Sequence, residues 1–353
     1  MIIKLLLFFL IFKSIIFSDN LIKGIDASYV DELLEKGAVF KENNEEKNIF
    51  DIYKNNGINY IRLRLWHSPK NNYCNLEHTI KIAKIIKSKN LKLLLAIHYS
   101  DDWADPSKQT IPALWQNKSF NEIEFEVFNY TQEIINSFKE NNILPDIIQI
   151  GNEIENGFLW DYGRINNFTN FMNLLKQAIF AIHNNLTQEQ LKKVKILIHI
   201  SCSTNYNKTI WFYENLINEN VPFDLIGLSY YPWWHGTLEQ LENSLKIISK
   251  KINKEIIIVE TAYPWTLDWF DNKHNIIGET TQLLNNYPAS PAGQLKFIEQ
   301  LFKIIKNISN VKGLFYFSAD AISCNSFSSD WENLTLFDFY GNALPTLKIF
   351  LKN

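Results

Sequence analysis

Cysteine is scarce in this chain, with three in 353 residues: Cys74, Cys202 and Cys324. That excludes a disulfide-dense scaffold, and their spacing matches no metal-ligand pattern. One disulfide is possible in an oxidising compartment with at least one thiol left over, and buried or loop thiols are the default. An excess of either charge is also lacking. Thirty-five Lys and Arg stand against 38 Asp and Glu, a net charge of -3. No basic field exists to hold nucleic acid or an anionic membrane, so neither is expected as a partner. Long apolar runs are missing after residue 20. The run from Leu5 to Phe12, with Lys4 before it and Ile15 to Phe17 beyond Lys13, is too short for a confident membrane span. It reads as a secretory signal over residues 1–18, cut near Ser18 ahead of polar Asp19 and Asn20, with an uncleaved anchor as the alternative. The remaining residues, 19–353, are expected outside the cell. No linker, repeat or low-complexity segment divides them, so one domain is expected, and a monomer.

Aromatic residues are plentiful, at 14% with ten Trp. Most pack cores, but many follow polar turn segments, where an aromatic face suits the apolar C–H face of a sugar ring. Seven Asn-X-Ser/Thr sequons, at Asn117, Asn129, Asn167, Asn185, Asn207, Asn307 and Asn333, are expected by chance in so Asn-rich a chain and matter only in a glycosylating host. Eight short β-branched runs recur: Lys23–Ala27, Asn59–Trp66, Lys92–His98, Ile147–Asn152, Lys195–Ile200, Asp224–Ser229, Glu255–Glu260 and Gly313–Phe317. Between or after them lie helix-like runs at Leu76–Ser88, Phe120–Lys139, Phe168–His183, Trp211–Asn218, Leu238–Lys251, Gly293–Ile305 and Leu344–Leu351. Strands alternating with helices predict parallel βα units, and eight of them predict a closed (β/α)8 barrel. Gly57, Pro145 and Pro222 mark breaks before the second, fourth and sixth strands. The longest irregular stretch, Pro264 to Pro291, follows the seventh strand, on the face where a barrel carries its active site.

Two strands end in a carboxylate. The fourth runs Ile148-Gln149-Ile150-Gly151-Asn152-Glu153 and the seventh Ile256-Ile257-Ile258-Val259-Glu260. An acid at the tip of a buried strand is costly unless it is hydrogen-bonded or used. Two such groups about 5–5.5 Å apart would serve a retaining glycosidase. Glu153 is then expected as acid/base and Glu260 as nucleophile, although either alone could cap a helix or pair with an arginine. Asn152 is expected near the sugar 2-hydroxyl. Arg62 and Arg64, two apart on the second strand, face the same way, so one can orient the nucleophile and the other serve as a structural ion pair. The third strand runs into His98-Tyr99-Ser100-Asp101-Asp102-Trp103-Ala104-Asp105-Pro106 and the sixth ends Ser229-Tyr230-Tyr231-Pro232-Trp233-Trp234-His235. Neither has zinc or EF-hand spacing. Both read as hydrogen-bonding and stacking walls, with one Tyr hydroxyl near the nucleophile.

The segments GIDAS (24–28), NYIRLRLW (59–66), HYSDDWADP (98–106), IQIGNE (148–153), IGLSYYPWWHGTL (226–238), IVETAYPWT (258–266) and WENLTLFDFYGNALP (331–345) resemble glycoside hydrolase family 53, the arabinogalactan endo-β-1,4-galactanases. The resemblance implies retaining hydrolysis of internal β-1,4-galactosyl bonds in type I arabinogalactan, with Glu153 as acid/base and Glu260 as nucleophile. It further implies substrate or support roles for Asp26, Arg62, His98, Asp105, Asn152, Ser229, Tyr231 and Trp234. It departs at the eighth strand, where the family's Tyr-Trp-Glu-Pro-like run is Tyr316-Phe317-Ser318-Ala319. Phe317 replaces the Trp that floors the cleaved subsite, with less stacking area and no indole N–H. Some members of the family bind calcium after the seventh strand. Asp268, Asp271 and Asn275 lie there but match no calcium motif, so no metal or other cofactor is expected to be required. Two other functions stay open: a related barrel hydrolase acting on mannan or glucan, and a non-catalytic carbohydrate-binding barrel.

Overall fold

All eight apolar runs form strands in the computed structural model, which describes residues 21–353; the signal reading lies outside them. The strands are β1 (Ile22–Asp26), β2 (Tyr60–Leu65), β3 (Lys92–Ile97), β4 (Ile147–Ile150), β5 (Lys195–Ile200), β6 (Leu225–Tyr230), β7 (Glu255–Thr261) and β8 (Val311–Tyr316). Each pairs in parallel with its neighbours, and β1 pairs with both β2 and β8, which closes a (β/α)8 barrel. Strands this rich in Ile, Leu and Val are buried on both faces, as parallel strands must be.

The outer layer comprises α1 (Ile49–Asn55), α2 (Leu76–Ser88), α3 (Phe120–Glu140), α4 (Phe168–Asn185), α5 (Tyr206–Asn218), α6 (Leu238–Lys251) and α7 (Pro291–Lys306). Their starts follow capping chemistry. Asn75 caps α2 through the His78 amide, Thr237 and Gln240 form a capping box on α6, and Ser290 caps α7 with Pro291 at its first position. Helix α5 begins five residues before the expected Trp211, because Asn205 caps it and its first turn is polar. The expected helix over 344–351 is a 3-10 turn, Pro345–Lys348, followed by the short helix Ile349–Lys352. No described helix is long and apolar enough to cross a membrane. All three cysteines are free thiols. Asn333 is fully buried and donates to the Ile277 and Thr266 carbonyls, so its sequon is unavailable to a glycosyltransferase in the folded chain.

The barrel interior has two levels. The lower one is apolar: Ile22, Leu94, Ala96, Ile147, Leu197, Leu225, Ile257, Val259 and Phe315, from seven strands, pack together, with Tyr60 of β2, the remaining strand, against them. Side chains alternate along a strand, so the next inward positions are Asp26, Arg62, His98, Gln149, His199 and Ser229, all buried. Strand β7 breaks this alternation. Its pairing with β6 slips by one residue between Leu228 and Ser229, so Leu228 faces Ile258 but Ser229 faces Glu260. The extra residue re-aims the strand tip, and Glu260 rather than Thr261 joins the inward set.

Closure of the barrel depends on one glycine. Gly313 has φ +147°, and a Cβ there would lie 2.0 Å from the Ile22 carbonyl oxygen. Gly313→Ala is therefore expected to lower stability by roughly 2–4 kcal/mol, measured by denaturant unfolding; an unchanged midpoint would show that the β1–β8 seam tolerates a side chain.

Candidate active site

Strand β4 is followed by two residues in the left-handed region, Gly151 at φ 69° and Glu153 at φ 49°. For glutamate this conformation costs about 1 kcal/mol or more and persists only where neighbours enforce it. They do so here. The Ile154 amide donates to the His199 carbonyl at 3.0 Å. The Gln109 side-chain amide donates to the carbonyls of Asp105, Asn152 and Glu153 at 3.0, 2.8 and 3.3 Å. The turn aims the Glu153 side chain at the barrel mouth.

Arg62 lies at the centre of this mouth, 1% exposed. Its Nη1 donates to Asp26 Oδ2 at 2.6 Å, its Nη2 reaches Asn152 Oδ1 at 2.8 Å and Glu260 Oε1 at 2.9 Å, and its Nε meets Gln149 Oε1 at 3.3 Å. The other oxygen of Glu260 accepts from the Tyr231 hydroxyl at 2.9 Å. Glu153 has a different environment. Its one side-chain partner is Ser229, whose hydroxyl lies 2.6 Å from Oε1. Burial, then the negative charge of Glu260, pushes the Glu153 carboxyl well above the usual carboxylate range. Burial raises Glu260 too, but Arg62 and the Tyr231 hydroxyl pull it back. Both acids are thus raised, Glu153 well above the usual range and Glu260 less far, because only Glu260 has a cation beside it.

Both carboxylates line a single cleft of about 420 Å³. Its walls are Trp103, Trp234, Phe317, Trp331 and Tyr231, with Asp105, Asn152 and Ser201 among its polar groups. Trp234 is 59% exposed and stands at the rim. Phe317 packs edge-on against Trp331 at 5.0 Å between centroids and lies 6.2 Å from both Trp103 and Tyr231.

Of the expected site residues, Glu153, Glu260, Asp105, Asn152, Tyr231, Trp234 and Phe317 line the cleft. Arg62 and Ser229 lie behind them and bond to them, and Asp26 bonds Arg62. Asp105 also holds its own turn, accepting from the Ser107 and Lys108 amides. His98 does not line the cleft. Its ring is buried with no hydrogen-bond partner on either nitrogen, packed by Trp66 and Trp103. Burial and the charges of Arg62 and Arg64 push its pKa well down. Arg64 is the structural one of the two arginines, but contrary to expectation it forms no ion pair with a described carboxylate; it is enclosed by the rings of Tyr29, Trp66 and Trp103 with its Nε on the Cys74 sulfur.

The segment Pro264–Pro291 is tied down rather than free. The Phe270 amide donates to Glu332, Ser323 donates to Asp271, and Asn333 bonds the Thr266 and Ile277 carbonyls. Asp271 is thereby engaged with protein donors, and Asn275 reaches only the Asp268 carbonyl, at 3.4 Å. The one described cluster with metal-ligand spacing is elsewhere, at Asp31, Glu35 and His78, where Lys81 already bonds both acids.

Sequence reasoning passed over His199, Gln149, Gln109 and Trp331. His199 and Gln149 share the inward parity of their strands, a signal available in the pattern. Gln109 and Trp331 lie on loops and carried no such signal.

A (β/α)8 barrel with two unlike carboxylates in an aromatic cleft at the C-terminal ends of its strands has the organisation of a glycoside hydrolase. The glycosyl hydrolase family 53 sequence model matches residues 22–350, and the chain belongs to that family. It is 32% identical to the arabinogalactan endo-beta-1,4-galactanase of Humicola insolens, over 93% of this chain and 98% of that one. It is also 32% identical to the enzyme of that name from Cellvibrio japonicus, over 93% and 89%. The structure of the Ignisphaera aggregans GH53 catalytic domain superposes with a TM-score of 0.89 at 38% identity, covering 94% of this chain and 95% of that one.

Just beyond β8, Asp320 is fully buried and neither of its oxygens is bonded by another residue. Burial, then the charge of Asp26, pushes its pKa well up. Folding therefore takes up a proton at Asp320, at no cost below the normal carboxylate range and at growing cost as pH rises above it. Asp320→Asn, which needs no proton, is expected to stabilise the protein by about 1–2 kcal/mol at pH 7 and to give no gain near pH 4; thermal unfolding across pH checks both.

Proposed function

We propose that this chain is a secreted, endo-acting β-1,4-galactanase that hydrolyses internal galactosyl bonds of type I arabinogalactan with retention of anomeric configuration. The polysaccharide is its substrate and partner, and the chemistry draws on no cofactor. The observation that carries the reading is the unequal treatment of two acids in one cleft: Glu260 clamped by Arg62 and Tyr231, Glu153 given a single hydroxyl partner.

Glu260, kept ionised by Arg62, attacks the anomeric carbon. Glu153, kept protonated by burial and by its acidic neighbour, gives its proton to the departing glycosidic oxygen. The bond to Glu260 forms as the bond to that oxygen breaks. Glu153, now a carboxylate, takes a proton from water, whose oxygen attacks the anomeric carbon and releases Glu260. The exposed Trp234 and the ring of Trp331 offer stacking faces to the polymer. Substrate choice rests on the family and on relatives bearing the galactanase name; secretion rests on the N-terminal run of the sequence.

The central test is Glu260→Gln with galactan, mannan and β-glucan side by side. Reducing-end release from galactan should fall by roughly 10⁴-fold or more while polysaccharide binding persists. Surviving activity would remove Glu260 as nucleophile, and release by the parent enzyme from another polymer but not galactan would replace the substrate. Inversion at the anomeric carbon, read by NMR of the first product, would exclude the two-step route. Tyr231→Phe provides a pH test. Loss of its hydrogen bond destabilises the Glu260 carboxylate, so the acidic limb of kcat/KM should move to higher pH, with a rate loss of about 10²-fold.

A further inference from the structure

The hydrogen bonds behind Glu153 can be assigned one proton at a time. Ser229 Oγ lies 2.6 Å from Glu153 Oε1 and 2.8 Å from His199 Nε2. A hydroxyl has one proton, so it donates to one of these neighbours and accepts from the other. The far side of the imidazole decides which.

His199 Nδ1 faces Asn152 Oδ1 at 3.0 Å and Gln149 Nε2 at 3.2 Å. The Asn152 amide is oriented by its Nδ2, which donates to the Ala104 carbonyl at 2.9 Å. Its oxygen accepts from Arg62 Nη2 at 2.8 Å and lies 3.0 Å from Gln149 Nε2. Gln149 is oriented by Arg62, which has only donors and so fixes the Gln149 oxygen toward its Nε and the amino group toward His199. The Gln149 amino group has two protons: one goes to the Gly151 carbonyl at 2.8 Å, and the other lies between Asn152 Oδ1 and His199 Nδ1. On Asn152 it fills the second lone pair and leaves Nδ1 no acceptor; on Nδ1 it occupies that ring nitrogen. Either way Nδ1 carries no proton.

The ring is fully buried. Burial first, then the charge of Arg62, with His98 and His235 acting in the same direction, keeps it neutral. Its proton is thus on Nε2 and is donated to Ser229, which must then donate to Glu153 Oε1. An oxygen that accepts from Ser229 cannot also be the seat of the acid proton on that same line. Oε2 is hydrogen-bonded to no described residue, and the side chain lines the cleft.

We propose that His199 is a positioning residue for general-acid catalysis, acting through Ser229 to confine the catalytic proton of Glu153 to the oxygen that faces the substrate. The proposal rests on the acid/base reading of Glu153. Without the Nε2–H donor, the Ser229 hydroxyl can turn and accept from Glu153, which draws the proton to Oε1, away from the glycosidic oxygen. The charged groups facing Glu153 are Glu260, Glu155 and Asp105, and none of them can donate a hydrogen bond to Oε1 in place of the serine.

The test compares His199→Phe, Ser229→Ala and the double variant on two substrates. Galactan has a leaving group that needs protonation; an aryl β-1,4-galactobioside with a dinitrophenolate leaving group does not. On galactan, kcat/KM should fall by about 10- to 100-fold in each single variant, with no further loss in the double. Its alkaline limb should move to higher pH, because the serine donation that favours the carboxylate is weakened. On the dinitrophenyl substrate the loss should stay within about 3-fold. Equal losses on both substrates, additive losses in the double, or an unmoved alkaline limb would overturn the proposal. If His199→Phe does not fold, Ser229→Ala alone must show the same substrate split. Glu153→Gln run in parallel separates the two layers of argument. Should it fail to spare the dinitrophenyl substrate, the acid assignment falls and this proposal with it. Should it spare that substrate while the His199 and Ser229 variants do not, only the proposal falls.

Discussion

Arg62 holds a permanent positive charge inside a barrel, where an uncompensated ion would be untenable. Four side chains from three strands and their ends answer it: Asp26, Gln149, Asn152 and Glu260. Each is fixed by what it gives to the guanidinium. Asp26 supplies the closest ion pair and Glu260 the second, so one cation is shared between two carboxylates and the charge of Asp26 opposes that of Glu260. Because guanidinium presents only donors, it also dictates which end of each neighbouring amide faces it. That second constraint passes through Gln149 to His199 and on to Ser229 and Glu153. One cation thus acts on both acids, directly on the nucleophile candidate and through three uncharged groups on the acid candidate.

The two levels of the barrel interior explain why this arrangement is affordable. Below the arginine, nine apolar side chains fill the barrel and exclude water. Above it, the polar layer is nearly saturated internally, so its groups orient one another rather than bulk solvent. Exceptions remain around it. His98, Ser318 and Asp320 all carry buried polar atoms without protein partners. Ser318 also takes a positive φ of 49°, next to Phe317.

The fold was legible because its signal is local. Eight β-branched runs, helix caps and breakers each mark their own element, and no long-range information is needed to count them. The two carboxylates were legible because an acid ending an apolar run is energetically conspicuous. Spacing marked one arginine of the second strand and one tyrosine after the sixth, and only the family resemblance singled out Arg62 and Tyr231. His98 misled for a related reason: a histidine in a polar-aromatic run resembles a binding residue, yet its strand parity places it beneath Trp103 rather than beside it. The bulge in β7 was not legible. Alternation from Ile257 and Val259 sends Thr261 inward, and only the slipped pairing with β6 shows that Glu260 takes that place. His199 ends an apolar run just as Glu260 does, but a neutral ring is an ordinary core residue, and its partners come from β4 and β6. A hydrogen-bond order that spans three strands cannot be read along any one of them.

The division of labour between strands and loops bears on specificity. Strand-borne groups fix the charge and proton positions that any glycosidic bond requires, and they are rigid because each has two or more partners. The stacking surfaces come largely from segments beyond the strands: Trp103 after β3, Trp234 after β6 and Trp331 after β8. Phe317 is at the border between the two. Its ring contacts Trp103, Tyr231 and Trp331, so it connects the aromatic walls to the residue that holds Glu260. A phenyl ring there offers less stacking area than an indole would and no donor, while the Tyr231–Glu260 bond does not depend on it. The physical expectation is a cost in sugar binding at that subsite, with the charge pattern of the two acids unaltered, because no group that sets their protonation belongs to the eighth strand.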